Sequence, residues 1–160
     1  MDVRYAEEAE IDQLAGLWYD GWRDAHEQIL PAELSRHRTL ASFRDRLAAA
    51  LPSVRVVGAP GEPVGFCIVK GDELYQLYVS ASARGSGAAA ALIADAESQL
   101  SKNGVGTAWL ACAIGNERAA RFYEKHGWRR VGNMINRLET PAGEFLLEVW
   151  RYEKRLPTKG

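Results

Sequence analysis

LYVSASARGSGAAAAL, residues 77–92, decides how the rest of the chain is read. It opens as the end of an apolar, strand-like run and closes in alanines and a leucine that read as helix. Arg84, Gly85, Ser86 and Gly87 lie between. Glycines ahead of a helix let the main chain come close to something. One partner is an anion, cradled by successive N–H groups with the helix dipole behind them. The other is a neighbouring segment, the small residues only permitting close helix–strand packing. The loop alone leaves both open.

Two phosphate loops fail. Gly85, Gly87 and Ala90 match the dinucleotide pattern G-x-G-x-x-A, but that turn leaves its strand at once and needs an acid about 20 residues on for the ribose. Here Ser80 to Arg84 separate Val79 from the first glycine, and the first acid past Leu110 is Glu117. A P-loop needs Gly-Lys-Ser/Thr, which is missing.

Outward from the loop, the chain alternates periods. VRYA is a short first strand. Ile11, Leu14, Leu17, Trp18, Trp22 and Ala25 recur at helical spacing, and Pro31 suits the first turn of another helical piece. Leu40, Phe43, Leu47 and Leu51 form a further stripe, with Thr39 as N-cap. SVRVVG, VGFCIVK and ELYQLYV are strands joined by turns, so they should be antiparallel. Leu92, Ile93, Ala96 and Leu100 share one side of the helix after the loop. TAWLACA is a strand, parallel to ELYQLYV across a helical crossover. NERAARFYEKH is a helix from N-cap Asn116 to stop Gly127, and two long strands follow around ETPAGE. The class is α/β, in a single domain over residues 1–160 with no repeat or linker.

Composition narrows the partners. Twenty lysines and arginines against 21 acids give no sign of a nucleic-acid or membrane partner. Cys67 and Cys112 sit in apolar runs and read as small buried hydrophobes; no metal is expected. MDVRYAEEAE shows neither a basic nor an apolar leader segment, and no apolar run nears the roughly 18 residues of a spanning helix. The expected setting is cytoplasmic.

Two blocks now carry a resemblance. Leu77–Val79 followed by Arg84-x-x-Gly87-x-Ala89 and a helix resembles the acyl-CoA motif of the GNAT acetyltransferase superfamily. Asn116, Ala119, Phe122, Tyr123, Gly127 and Trp128 resemble the family's N-x-x-A-x-x-F-Y-x-x-x-G-(F/W) block. Element order agrees from about residue 3 to 154. The resemblance implies a mixed, mostly antiparallel sheet of about six or seven strands flanked by about four helices. It implies an N-acetyltransferase that moves an acetyl group from acetyl-CoA to a primary amine by direct attack in a ternary complex. The sheet should splay between ELYQLYV and TAWLACA to admit the co-substrate, and a homodimer is the family's expectation.

By the same resemblance, the amides of Arg84, Gly85, Ser86, Gly87, Ala88 and Ala89 bind the pyrophosphate of coenzyme A. The backbone of Leu77, Tyr78 and Val79 runs along the pantetheine and offers an oxyanion donor. Asn116 lies near the pantetheine or only caps its helix. Tyr123 corresponds to the general acid for the departing thiolate; the alternative is a core aromatic. A phenol near 10 protonating a thiolate near 8.5 runs uphill by about 2 kcal/mol, so hydrogen bonding leads and transfer comes late. An alkyl amine is neutral in about one molecule in 2500 at pH 7, a handicap of about 4.6 kcal/mol, so a base is needed. Glu73 is the candidate, against its reading as a solvated acid beside Asp72. Trp22, His26 and Glu27 lie where the family places acceptor contacts; His37 and His126 read as surface or packing residues. The acceptor is a small-molecule or peptide amine. A non-catalytic acyl-CoA sensor of the same fold is the rival.

Overall fold

A computed structural model describes residues 1–157. Its sheet has seven strands: β1 (Val3–Tyr5), β2 (Val54–Val57), β3 (Gly65–Lys70), β4 (Glu73–Val79), β5 (Thr107–Ala113), β6 (Arg129–Thr140) and β7 (Gly143–Arg155). Their spatial order is β1-β2-β3-β4-β5-β7-β6. Every neighbouring pair is antiparallel except β4 with β5, which is parallel. The helices are α1 (Ile11–His26), α2 (Ala32–Ser35), α3 (Leu40–Ala50), α4 (Ala88–Lys102) and α5 (Glu117–Lys125). The short α2 raises the expected four to five. Pro31 precedes it in extended conformation, one place earlier than the sequence suggested.

The periodicities bury two cores, one on each sheet face. Leu14, Trp18 and Trp22 of α1 meet Phe43 and Leu47 of α3 over Val54, Phe66 and Ile68. On the other face Leu92, Ile93, Ala96 and Leu100 of α4 cover Cys67, Leu74 and Leu110. Each such fully buried aliphatic side chain contributes about 1.5–3 kcal/mol. Thr39 Oγ1 accepts the Ser42 N–H at 3.1 Å and so starts α3.

Two irregularities interrupt β4. Ile68 faces Gln76, but Val69 faces Leu74, so Tyr75 is an extra residue, a β-bulge. The bulge puts Leu74 and Leu77 on the α4 face while Tyr75 and Tyr78 pack on the α1 face. Beside it, β4 and β5 share one register pair, Glu73 with Trp109, and then part. The expected splay is present. Among the described residues no helix is long and apolar enough to cross a membrane.

The entrance to α1 is held ionically. Glu10, 1% exposed, accepts from Arg4 at 2.9 and 2.7 Å, from the Glu7 N–H at 2.9 Å and from the Gly61 N–H at 3.1 Å. Arg4 also donates to Gly58 and Ala59 carbonyls, so β1, α1 and the β2–β3 turn share one knot. These bonds hold the Glu10 carboxyl down at about 2. A depressed carboxyl stabilises the fold fully above its ordinary value near 4.5 and loses that contribution as pH falls toward 2. The loss should reach about 3 kcal/mol. Denaturant titrations across pH 2–6 should show this slope in the native protein and a flattened one in Glu10→Gln.

Candidate active site

Two cavities meet in the gap between β4 and β5. One, of about 630 Å³, runs from the N-terminus of α4 to α5. The other, of about 740 Å³, lies between α1, α3 and the far end of the β6–β7 hairpin. His26, Tyr75, Gln76, Tyr78, Ala111 and Ala113 line both. The bulge causes this meeting, because it brings Tyr75 and Gln76 to the gap in succession.

The first cavity is bounded at one end by the glycine turn that opens α4. Gly87 caps α4 with φ +92° and Gly85 has φ +80°, a conformation that favours glycine. A Cβ built at either meets nothing within 4 Å. The glycines therefore serve the backbone shape and not close packing, while Ala88 of the same stretch is fully buried in the core on the α4 face. The N–H groups of Arg84 and Ser86 are spent on Ala81 and Ala83 carbonyls at 3.3 and 3.2 Å. Ala88 donates to Ser86 Oγ at 3.3 Å, and Ser86 itself does not line the cavity. The free amides are those of Gly85, Gly87, Ala89 and Ala90. The six expected amides thus become four, with Ala90 added, because the turn before α4 consumes the others. The Arg84 side chain bonds Asp24 at 2.7 Å, and Arg118 joins the same carboxylate at 3.1 Å. The two guanidiniums hold the Asp24 carboxyl below its ordinary value.

Along the gap, β4 presents main-chain donors. Ser80 N–H reaches Val64 O on the β3 side at 2.8 Å, so alternation turns the Leu77 and Val79 N–H groups the other way, toward the parted β5. Asn116 caps α5, its Oδ1 accepting the Ala119 N–H at 3.3 Å, while it also lines the cavity. Tyr123 stands in the wall against Phe122 and Trp128, with ring centroids 5.5 and 6.4 Å apart. Neither its hydroxyl nor that of Tyr78 has a partner among the described residues, and neither is sealed from the cavity. Burial raises both phenols above their ordinary value, so both are neutral donors. Cys112 also faces the gap, but burial pushes its thiol up to about 12, which leaves almost no thiolate to act as nucleophile.

Glu73 lines the second cavity, and His26 lines both. Burial raises Glu73 to about 7, where a carboxylate is a competent base. His26 Nδ1 lies 2.9 Å from the Trp22 carbonyl and must donate to it. Burial lowers the ring to about 4, so His26 is neutral with Nε2 free as an acceptor. Trp22, 7% exposed, forms part of the wall. Glu27 does not: it bonds Arg23 at 2.9 Å on the outer face of α1 and lines neither cavity. One residue past His26, it has turned about 100° around the helix. His126, expected as a surface or packing residue, packs on Phe122 with ring centroids 4.6 Å apart and also lines the first cavity. The side chains of Tyr78 and Gln76 escape a reading of the sequence because the pairing of Tyr78 with Phe66 and the bulge beside Gln76 set their surroundings, not a local pattern. Arg38, Arg46, Leu138 and Leu147 escape it because a distant hairpin and helix supply them. Among the described residues no group of three His, Cys, Asp or Glu could hold a metal.

The sequence model described as Acetyltransferase (GNAT) family matches residues 11–128. No curated protein matches the chain. Among solved structures, the GCN5-related N-acetyltransferase from Rhodopseudomonas palustris is similar at TM-score 0.74 and 22% identity, over 97% of this chain and 95% of that one. The ribosomal-protein-alanine N-acetyltransferase from Brucella melitensis gives 0.69 and 18%, over 98% and 100%. The PaiA N-acetyltransferase from Thermoplasma acidophilum, solved with coenzyme A, gives 0.67 and 16%, over 96% and 98%. At these identities the likeness is one of fold.

Tyr78 owes its place to Gly21 at mid-α1. A Cβ there would lie 2.7 Å from Tyr78 Cδ1. Helix propensity alone makes Gly→Ala favourable by up to about 1 kcal/mol. Gly21→Ala should instead destabilise by about 1–2 kcal/mol through overpacking, measured by denaturant unfolding.

Proposed function

Because the chain belongs to the GNAT acetyltransferase family, we propose that it moves an acetyl group from acetyl-CoA to a primary amine in one ternary complex, with the parted strands as the reaction site. One observation carries the reading: the gap between β4 and β5 has free amides at one end, unpaired strand donors along it and a second cavity opening on its middle. Acetyl-CoA supplies the activated acetyl thioester.

Gly85, Gly87, Ala89 and Ala90 receive the pyrophosphate through their N–H groups, with the dipole of α4 behind them. Arg84 and Arg118 sit at that end, paired with Asp24 and free to turn to a phosphate. Leu77 and Val79 N–H groups face the pantetheine arm, and one of them stabilises the oxyanion that forms as the amine attacks. The new C–N bond forms as the C–S bond breaks. Tyr123 donates its hydrogen bond to the departing sulfur and gives up its proton late, since burial makes the phenol a poorer acid still. The amine loses its proton toward Glu73. Glu73 lies four residues before Leu77, about 13 Å along the strand, so that proton passes through water. A cysteine-bound acetyl intermediate is disfavoured by the thiol pKa of Cys112 near 12.

An acyl-CoA sensor would need the first cavity only. The second cavity, with Glu73 in its wall, favours turnover. The acceptor is taken as a small molecule or peptide end. A homodimer through the exposed β6 edge, where Val131 and Ile135 lie open, completes the reading.

Two measurements test it. Tyr123→Phe should lower kcat by about 10- to 100-fold while acetyl-CoA affinity by calorimetry stays within about twofold; wild-type turnover in that variant would assign Tyr123 to the core. Glu73 gains its base form as pH rises through about 7. The kcat/KM for a primary amine should therefore bend near pH 7, over the steady rise from amine deprotonation. Glu73→Gln should abolish the bend; a bend that survives places the base elsewhere.

A further inference from the structure

The second cavity carries an unbalanced charge. Arg38, Arg46, Lys70 and Arg137 line it against Glu73 and Glu139. Arg137 pairs with Glu144 at 3.1 Å; Lys70 has no carboxylate partner among the described residues, but its Nζ lies 3.9 Å from the centre of the Tyr75 ring. The other two have no carboxylate within 4.0 Å among the described residues. Arg46 donates to the Tyr75 hydroxyl at 2.7 Å and lies 4.3 Å over the Trp18 ring, whose Nε1 has no partner among those residues.

Arg38 is the more telling. It is 7% exposed, and it makes one hydrogen bond, Nη1 to the Glu139 carbonyl at 3.3 Å. A guanidinium has five N–H donors and does not deprotonate. Burying it without a counter-charge is costly, and a second guanidinium nearby adds to the cost. Burial and Arg46 both lower its pKa, the signature of a cation held where a cation is disfavoured. The same chain satisfies its other buried ion fully, Glu10 with Arg4 and two amides. Arg38 is thus a cation without a carboxylate partner on the wall of a cavity with room for an anionic guest.

We propose that the acceptor is an amine that also carries an anionic oxygen group, a carboxylate or a phosphate, bound by Arg38 with Arg46 beside it. This deepens the acetyl-transfer reading and rests on it. The planar fork of a guanidinium matches either group through paired hydrogen bonds. The amine end lies toward His26, Gln76 and Tyr78, where the cavities join. Trp22, Leu30 and Leu34 offer an apolar wall between, so a molecule of amino-acid character fits and a polyamine is repelled. In the reaction the amine nitrogen gains the acetyl carbon, the thioester C–S bond breaks and the amine proton leaves by water; the anionic group is unchanged.

Thiol release from acetyl-CoA should be followed over matched acceptors: amino acids, their carboxamides, the decarboxylated amines, and aminoalkyl phosphates. Anionic members should exceed their neutral partners in kcat/KM by about tenfold or more. The better of the carboxylate and phosphate arms identifies the group. Arg38→Met should lower kcat/KM for the preferred anionic acceptor by about 100-fold, mainly through KM, and for its neutral partner by less than about threefold. Arg38→Met should also unfold no earlier than wild type on heating, since it removes an unpaired buried charge. Neutral amides used as well as the acids, or equal losses with both, would overturn the proposal. Should that variant not fold, wild-type protein still decides. Carboxylates or alkyl phosphates lacking the amine should inhibit competitively against the amine and their neutral amides should not; no such inhibition overturns the proposal. Calorimetry separates the two readings. Arg38-dependent binding of the anionic amines without thiol release would keep the anion site and overturn acetyl transfer. Release without anion preference would do the reverse.

Discussion

β4 and β5 hold together at one register pair and then separate, and most of the functional architecture depends on that parting. Parallel neighbours in a sheet ordinarily pair along their length, each N–H meeting a carbonyl. Here the Leu77 and Val79 amides are left facing a gap. Unpaired main-chain groups in an apolar setting are unfavourable, and a protein keeps them only where something else completes the pairing. α4 begins at one end of the gap with unmet amides of its own, so donors succeed one another from helix terminus to strand. The bulge at Tyr75 belongs to the same device. The extra residue sets Tyr75 and Gln76, which line both cavities, in succession between Leu74 and Leu77.

The chemistry is divided between the cavities by solvation. The first holds two buried phenols and a thiol near 12 besides the ionic cluster of Asp24, Arg84 and Arg118 at its α4 end. It suits a thioester, which needs donors and protection from nucleophiles. The second keeps its charges, two guanidiniums without carboxylates and a glutamate near 7. It suits a polar, charged molecule that must lose a proton. His26 sits at the border, neutral, its Nδ1 tied to the Trp22 carbonyl.

The fold is legible in the sequence wherever a local pattern specifies it. Leu92, Ile93, Ala96 and Leu100 mark the buried side of α4, Asn116 and Thr39 cap the helices their residue types suit, and the antiparallel run agrees with the turn lengths. The lining of the first cavity is equally legible, because much of it lies in two contiguous blocks. Even there, only the closed turn shows that the Arg84, Ser86 and Ala88 N–H groups already have partners within it. Glu27 is misplaced because the end of a helix fixes which face a residue takes. The acceptor side is hardly legible. Arg38, Arg46 and Leu138 come from three separate stretches, and no period or spacing joins them before the hairpin folds back over α1 and α3.

Tyr78 and Gln76 are walls of both cavities, and the Tyr78 ring has no slack, pressed against the bare Cα of Gly21. A ring so confined cannot accommodate one guest without altering the room left for the other. Two guests in these cavities would therefore be linked through a shared side chain, and the linkage would be reciprocal: whatever factor one contributed to the affinity of the second, the second would return.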